Sequence, residues 1–322
     1  MNLPDEPEPI DLSRIRTIPL EQRPSLVETG AFAEPTLPGP DLARLLASIP
    51  RVHAGQSFRD LVEAVARAHE TGAQVLLGMG AHVIKVGLAP LVNDLLERGV
   101  IGAVALNGAG IIHDLEIALV GRSSEDVGQG LLDGSFGMAR ETAEELNRAA
   151  REAHQNGLGL GRAVGERILA LKAPFERHSI LARCARLGRP ATVHVALGTD
   201  IIHMHGSADG AAIGAASLAD FRLLAAIVAR LSGGVYLNVG SAVILPEVFL
   251  KALNLARNVG HEVREFTTAN LDQIRHYRPR VNVLNRPGGR AIELIGQHEL
   301  LFPLFRLALL SRLGITAESG GA

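Results

Sequence analysis

The residues best suited to chemistry lie in short polar loops that follow apolar runs. "GTDIIHMHGSADG" (198–210) places Asp200, His203 and His205 within six positions. If the segment is extended, His203 and His205 share a face, as a metal pair requires; if it is helical, Asp200 and His203 become the neighbours. Neutral imidazoles with a carboxylate suit Zn, Mn or Fe, and the competing reading is histidines bonded to loop backbone. "LNGAGIIHD" (106–114) reads as a Gly-Ala-Gly turn opening a helix whose free N–H groups can hold an anion. His113 and Asp114 fall just inside that helix, His113 as a base or a plain surface residue, Asp114 as a ligand contact or a cap for the helix dipole. "GMGAH" (78–82) lets the backbone approach a phosphate or simply makes a tight turn; the third glycine of a dinucleotide fingerprint is missing. The only lysines are Lys85, Lys172 and Lys251. Lys85 adjoins the first glycine turn and suits a phosphate or carboxylate contact better than an imine, which needs a desolvated amine of low pKa. There is no G-x-S-x-G, H-E-x-x-H or P-loop, and Cys184 sits among apolar neighbours as core packing.

The elements that must position these loops alternate along the chain. The apolar periodicity predicts helices over 57–72, 81–99, 178–188, 217–234, 245–260 and 299–314, one starting near 111, and glycine-broken helices over 124–171. Strands are expected within 73–80, 100–110, 190–200, 235–240, 262–270 and 291–296. That alternation predicts an α/β fold, a doubly wound, mostly parallel, Rossmann-like sheet, as a single domain over 43–322. Residues 1–42 carry Pro4, Pro7, Pro9, Pro19, Pro24, Pro35, Pro38 and Pro40, a density that predicts an extended arm. In such sheets ligands bind beyond the carboxyl ends of the strands, near the point where strand order reverses.

Bulk properties narrow the function classes. The 322 residues are 47% hydrophobic and 20% charged, enough for a large core. A net charge of −2 gives no electrostatic case for nucleic acid or an acidic membrane, so a small-molecule substrate is expected. The apolar runs are interrupted by Gly, Arg or Asp, which argues against a membrane span. The acidic, proline-rich start lacks a secretory n-region and h-region, and one cysteine cannot form an internal disulfide, so a cytoplasmic location is expected.

Taken in order, the loops resemble those of the deoxyhypusine synthase family, from about residue 55 to about 310. "GAHVIKVGLAPLV" (80–92) is similar to the family's Ser-Asn-Leu-Ile-Ser-Ser-Gly helix start. "LNGAGIIHDL" (106–115) is similar to its Thr-Ala-Gly-Gly loop, and "ALGTDIIHMHG" (196–206) to its Ala-Leu-Thr-Asp-Gly-Ser loop. "NVGSAVILPEV" (238–248) resembles its Gly-Gly-Gly-Val-Val-Lys-His-His turn, with further likeness in "FTTAN" (266–270) and "ELLFPLF" (299–305). The resemblance implies an NAD-binding Rossmann-like fold, a homotetramer with sites between subunits, and transfer of an aminobutyl group from spermidine.

The departures fall on that chemistry. The family's covalent lysine falls on Leu245 and the following histidine on Pro246; the acidic pair becomes Ile112 and His113, and the chain has no Trp for a polyamine pocket. The resemblance therefore implies an altered substrate, a small amine or alcohol, with NAD held by Gly80, His82, Gly108, Ala109, Gly110, Asp114, Gly240, Ser241, Thr268 and Ala269. His113, His203 or His205 would serve as base, Asp200 would contact ribose or substrate, and Lys85 is the lysine nearest the site. Two other readings stand beside it: a divalent-metal enzyme using Asp200, His203 and His205, and a non-catalytic binding paralogue.

Overall fold

Six short runs of buried, largely β-branched or aliphatic residues make the central sheet, and the helices between them shield both of its faces. A computed structural model describes Ile10 and residues 12–317; Pro4, Pro7 and Pro9 of the expected arm lie outside the described residues. In chain order the elements are β1 (Val27–Glu28), α1 (Pro40–Ser48), α2 (His53–Glu70), β2 (Val75–Met79), α3 (His82–Lys85), α4 (Ala89–Glu97), β3 (Ala103–Asn107), α5 (Gly108–Val120), β4 (Arg122–Ser123) and α6 (Val127–Asp133). Then come α7 (Arg140–Asn156), α8 (Leu160–Ala170), α9 (Ile180–Leu187), β5 (Ala191–His194), α10 (Gly210–Val228), β6 (Val235–Val239), α11 (Ile244–Asn258), β7 (Thr267–Asp272), β8 (Arg290–Ile295) and α12 (His298–Arg312). The sheet order is β5-β3-β2-β6-β7-β8, all parallel. Strand order runs outward from β2 through β3 to β5 and from β6 through β7 to β8, so it reverses between β2 and β6.

The expected doubly wound α/β fold is thus present. On one face Leu77, Val104, Leu237 and Leu271 pack with Leu61, Phe302 and Phe305 of α2 and α12. On the other, Leu76, Tyr236 and Ala105 pack with Leu224, Leu245 and Phe249 of α10 and α11. Tyr236 stacks on Phe249 with ring centroids 3.8 Å apart. Parallel strands covered on both faces read as continuous apolar runs, which is why periodicity placed them well.

Several boundaries differ from expectation. The helix predicted over 81–99 divides into α3 and α4 at Gly87, whose φ of 76° ends α3. α10 begins at Gly210, seven residues before the predicted start, because the Asp209 side chain accepts from Ala212 N at 3.0 Å and caps it. β7 spans 267–272 rather than 262–270, a shift that matters for the site. α1, the β1–β4 pair and a π-helical segment at Pro279–Asn285 carry no strong sequence signal.

Among the described residues, α10 is long and apolar enough to cross a membrane, with a mean hydropathy of 1.7. It packs instead on α7, α8, α11 and β5. The arm lies along the body of its own chain. Leu20 is buried, Ile18 bridges to Ala139, β1 pairs antiparallel with β4, and Arg306 donates to the Thr36 carbonyl at 2.7 Å.

Candidate functional site

The point of strand reversal is built from two glycine turns that touch. Gly80 N donates to the Val239 carbonyl at 3.0 Å, and Gly240 N donates to the Leu271 carbonyl at 3.0 Å. A Cβ on Gly80 would overlap the Gly240 carbonyl oxygen, so this glycine is required by turn–turn packing. Around this junction, side chains from three further segments converge. His82, at the start of α3, accepts from the Gln273 amide at 2.6 Å. Its ring centroid lies 5.3 Å from that of His298, the first residue of α12. His298 is buried and donates from Nε2 to the Leu271 carbonyl at 3.1 Å, which leaves Nδ1 as a bare acceptor with no protein partner. Asp272, the last residue of β7, accepts from Gln273 N through Oδ1 at 2.8 Å, and its buried Oδ2 has no protein partner. Burial, followed by the nearby His298 and Lys85, holds the His82 pKa below the usual imidazole value against the opposing charges of Glu299 and Asp272.

The second group of expected residues sits at the ends of β3 and β5. Asn107 caps α5 by accepting from Gly110 N at 3.0 Å, so the Gly-Ala-Gly triplet is the first turn of the helix rather than a loop before it. Asp200 lies over that helix end. A Cβ on Gly108 would overlap its carboxylate, which fixes glycine there. The Asp200 carboxyl is pushed up to about 6 by burial. A phosphate at Gly108, Ala109 and Gly110 would meet this carboxyl group, which lies against the helix end expected to hold an anion.

The histidines of the 198–210 loop hold the loop itself together. His203 Nδ1 accepts from Gly198 N at 3.1 Å and Asp200 N at 3.3 Å. His205 is buried and donates from Nε2 to the Gly137 carbonyl at 2.8 Å. The bonded nitrogens serve different backbone groups, while His203 Nε2 and Asp200 Oδ2 are buried without a protein partner. Among the described residues, no group of three or more His, Cys, Asp or Glu side chains could hold a metal ion. The metal reading of Asp200, His203 and His205 is therefore without support. Asp114 also departs from expectation. It is fully buried and caps α9, accepting from Ser179 Oγ at 2.5 Å, Ile180 N at 2.7 Å and Leu181 N at 3.2 Å.

The remaining candidates divide. Thr268 and Ala269 lie inside β7, fully buried and four and three residues short of its carboxyl end. They face the packed interior, and Asp272 and Gln273 occupy the position they were expected to hold. Ser241 accepts from Leu245 N at 3.2 Å and orders the entry to α11. Leu245 is sealed in the cluster with Tyr236 and Phe249, so the place of the family's covalent lysine is apolar core. Lys85 is exposed and lacks the desolvated setting an imine needs. Its charge helps to lower the pKa of both His82 and His113. Asp272, Gln273 and His298 are the residues that sequence reading missed. His298 stands one residue before "ELLFPLF", just after the expected strand at 291–296, and a polar residue there was the available signal.

No family model matches the sequence, and no curated protein matches it. Solved structures are similar in fold. The ternary complex of AgrE with ornithine and NAD+ aligns with a TM-score of 0.53 at 14% identity, covering 82% of this chain and 35% of that one. Apo ArgZ, an arginine dihydrolase from the ornithine-ammonia cycle in cyanobacteria, aligns with a TM-score of 0.50 at 14% identity over 81% and 33% of the two chains. The chain thus spans about a third of the length of these proteins. A structure from Entamoeba histolytica, provisionally described as a deoxyhypusine synthase, covers 85% of this chain and 93% of its own at 11% identity, with a TM-score of 0.47 too low to carry weight. At these identities the likeness shows the fold alone.

Proposed function

We propose that this protein is an NAD-binding enzyme, related to deoxyhypusine synthases in architecture but acting on a small amine or alcohol without a covalent lysine intermediate. The observation that carries the reading is the pair of partnerless acceptors, Asp272 Oδ2 and His298 Nδ1, at the strand-order reversal where α/β sheets bind their ligands. Ribose hydroxyls and a carboxamide are donors of the kind such acceptors need. The N-terminus of α11 has no capping side chain at Val243, and a helix leaves its first N–H groups without intrahelical partners. The likeness in fold to AgrE, whose structure contains NAD+, supports the same assignment.

When bound, NAD would supply a hydride acceptor for a substrate C–H bond. The chain's own residues would bind and orient. Asp272 and His298 would fix the nucleotide, and His82, whose Nε2 lone pair is taken up by the Gln273 amide, would present its Nδ1–H to the substrate as a donor. Calorimetry of the full chain with NAD+ and NADH tests this. Binding is expected, weakened at least tenfold in Asp272→Asn, because one acceptor is then replaced by a donor. Absence of binding to either nucleotide refutes the reading. Binding without reduction of NAD+ by any of a panel of small amines and alcohols would favour the non-catalytic alternative.

A further inference from the structure

His113 has a defined tautomer that the rest of the molecule enforces. The bonds run in one direction. Arg23, from the arm, donates to both oxygens of Glu116 at 2.7 and 2.8 Å. Thr142 adds a third donor to Glu116 at 3.0 Å. The Ser123 hydroxyl, on β4, donates to Glu116 Oε2 at 2.6 Å. A hydroxyl has one hydrogen, so Ser123 Oγ can only accept from its other neighbour. That neighbour is His113 Nδ1, at 2.6 Å. The proton of a neutral His113 must therefore sit on Nδ1, and Nε2 must carry the free lone pair.

We infer that Arg23, Glu116 and Ser123 are positioning residues that lock His113 in the Nδ1–H tautomer, leaving Nε2 as the proton acceptor of the ring. The ring is only partly buried, and its Nδ1 side is the anchored one. The charged groups acting on it are Glu116 of its own helix, Lys85 of α3 and Arg23 of the arm. Burial outweighs them and lowers its pKa to about 4, so the ring is neutral at pH 7. The arm thereby takes part in the lock, because the acceptor that orients Ser123 is itself held by Arg23. A catalytic meaning for Nε2 rests on the function proposed above; the tautomer does not.

The test is nitrogen-15 NMR of nucleotide-free protein labelled at histidine, with His113 assigned by loss of its signals in His113→Asn. At pH 7 the wild-type protein is expected to show a protonated Nδ1 and a bare Nε2 at His113. Ser123→Ala should release the lock and move His113 towards the Nε2–H form, and Ser123→Thr should restore the original pattern. A wild-type His113 protonated at Nε2 overturns the inference, and so does an unchanged Nδ1–H signal in a folded Ser123→Ala protein. If Ser123→Ala does not fold, the wild-type spectrum alone decides. Because no nucleotide is present, failure of NAD binding and failure of the tautomer lock are read separately.

Discussion

Replacing Arg23 by Ala is the sharpest perturbation of the arm. The guanidinium is 4% exposed and its carboxylate partner Glu116 is 1% exposed. The contact is bidentate, with Glu125 reached at 3.5 Å as a second, weaker partner. Removing one member of a buried pair leaves the other charge uncompensated, which costs about 3–5 kcal/mol. Here Ser123 and Thr142 continue to donate to Glu116, so the low end applies, about 3 kcal/mol. At about 2.1 cal/mol/K per residue over 322 residues, each kcal/mol moves the melting temperature by roughly 1.5 °C, so a drop of about 4–5 °C is expected. The loss can also appear as local undocking of the arm. Thermal melting should therefore be paired with limited proteolysis, in which cleavage within the first 25 or so residues accelerates before the core opens. Adding Glu116→Gln to Arg23→Ala should cost much less than the sum of the single changes, since the pair is coupled. A single variant that loses less than about 1 kcal/mol by melting and keeps its protease resistance would refute the latch.

Two further outcomes follow from burial. Leu245→Lys restores the residue type found at this position in the resembling family, but places an ammonium in the cluster with Tyr236 and Phe249; a loss of several kcal/mol and no borohydride-trapped imine are expected. A folded Leu245→Lys protein with a wild-type melting temperature and a trapped lysine adduct would show that the side chain reaches a site after all. His194 is lowered to about 4 by burial alone, against about 6.5 in the unfolded chain. Between those values the unfolded chain takes up a proton that the folded one refuses, so stability is complete above pH 6.5 and falls as pH drops towards 4. At ~1.4 kcal/mol per pKa unit the contribution is up to roughly 3 kcal/mol. His194→Gln should make the acid limb of the urea midpoint shallower by that order, and equal slopes in the two proteins would contradict the assignment.

The sequence by itself determined the architecture. Apolar runs bounded by glycine, separated by helix-period segments, allow little but a parallel sheet wound on both faces, and the structure has that sheet. It also marked the turns, because Gly80 and Gly240 sit where chains reverse direction after a strand. Its resemblance to the deoxyhypusine synthases puts Leu245 where that family has a covalent lysine, and the structure adds that this position is core. What it did not determine was position along and across the sheet. "EFTTANLDQ" is buried without alternation, so no period distinguishes its middle from its end, and only pairing with β6 and β8 put Asp272 rather than Thr268 at the carboxyl edge. The roles of His203, His205 and Asp114 were likewise open, since the same residue types serve ligands or orphan backbone groups. The fold assigned them to backbone N–H and carbonyl groups, and in the case of Asp114 also to the Ser179 hydroxyl. Arg23 and Glu116 stand 93 residues apart, and nothing local in either segment points to the other. Contacts of that kind arise when distant elements are packed against one another, and it is there that Glu116 gained its cation, Ser123 its acceptor and His113 its tautomer.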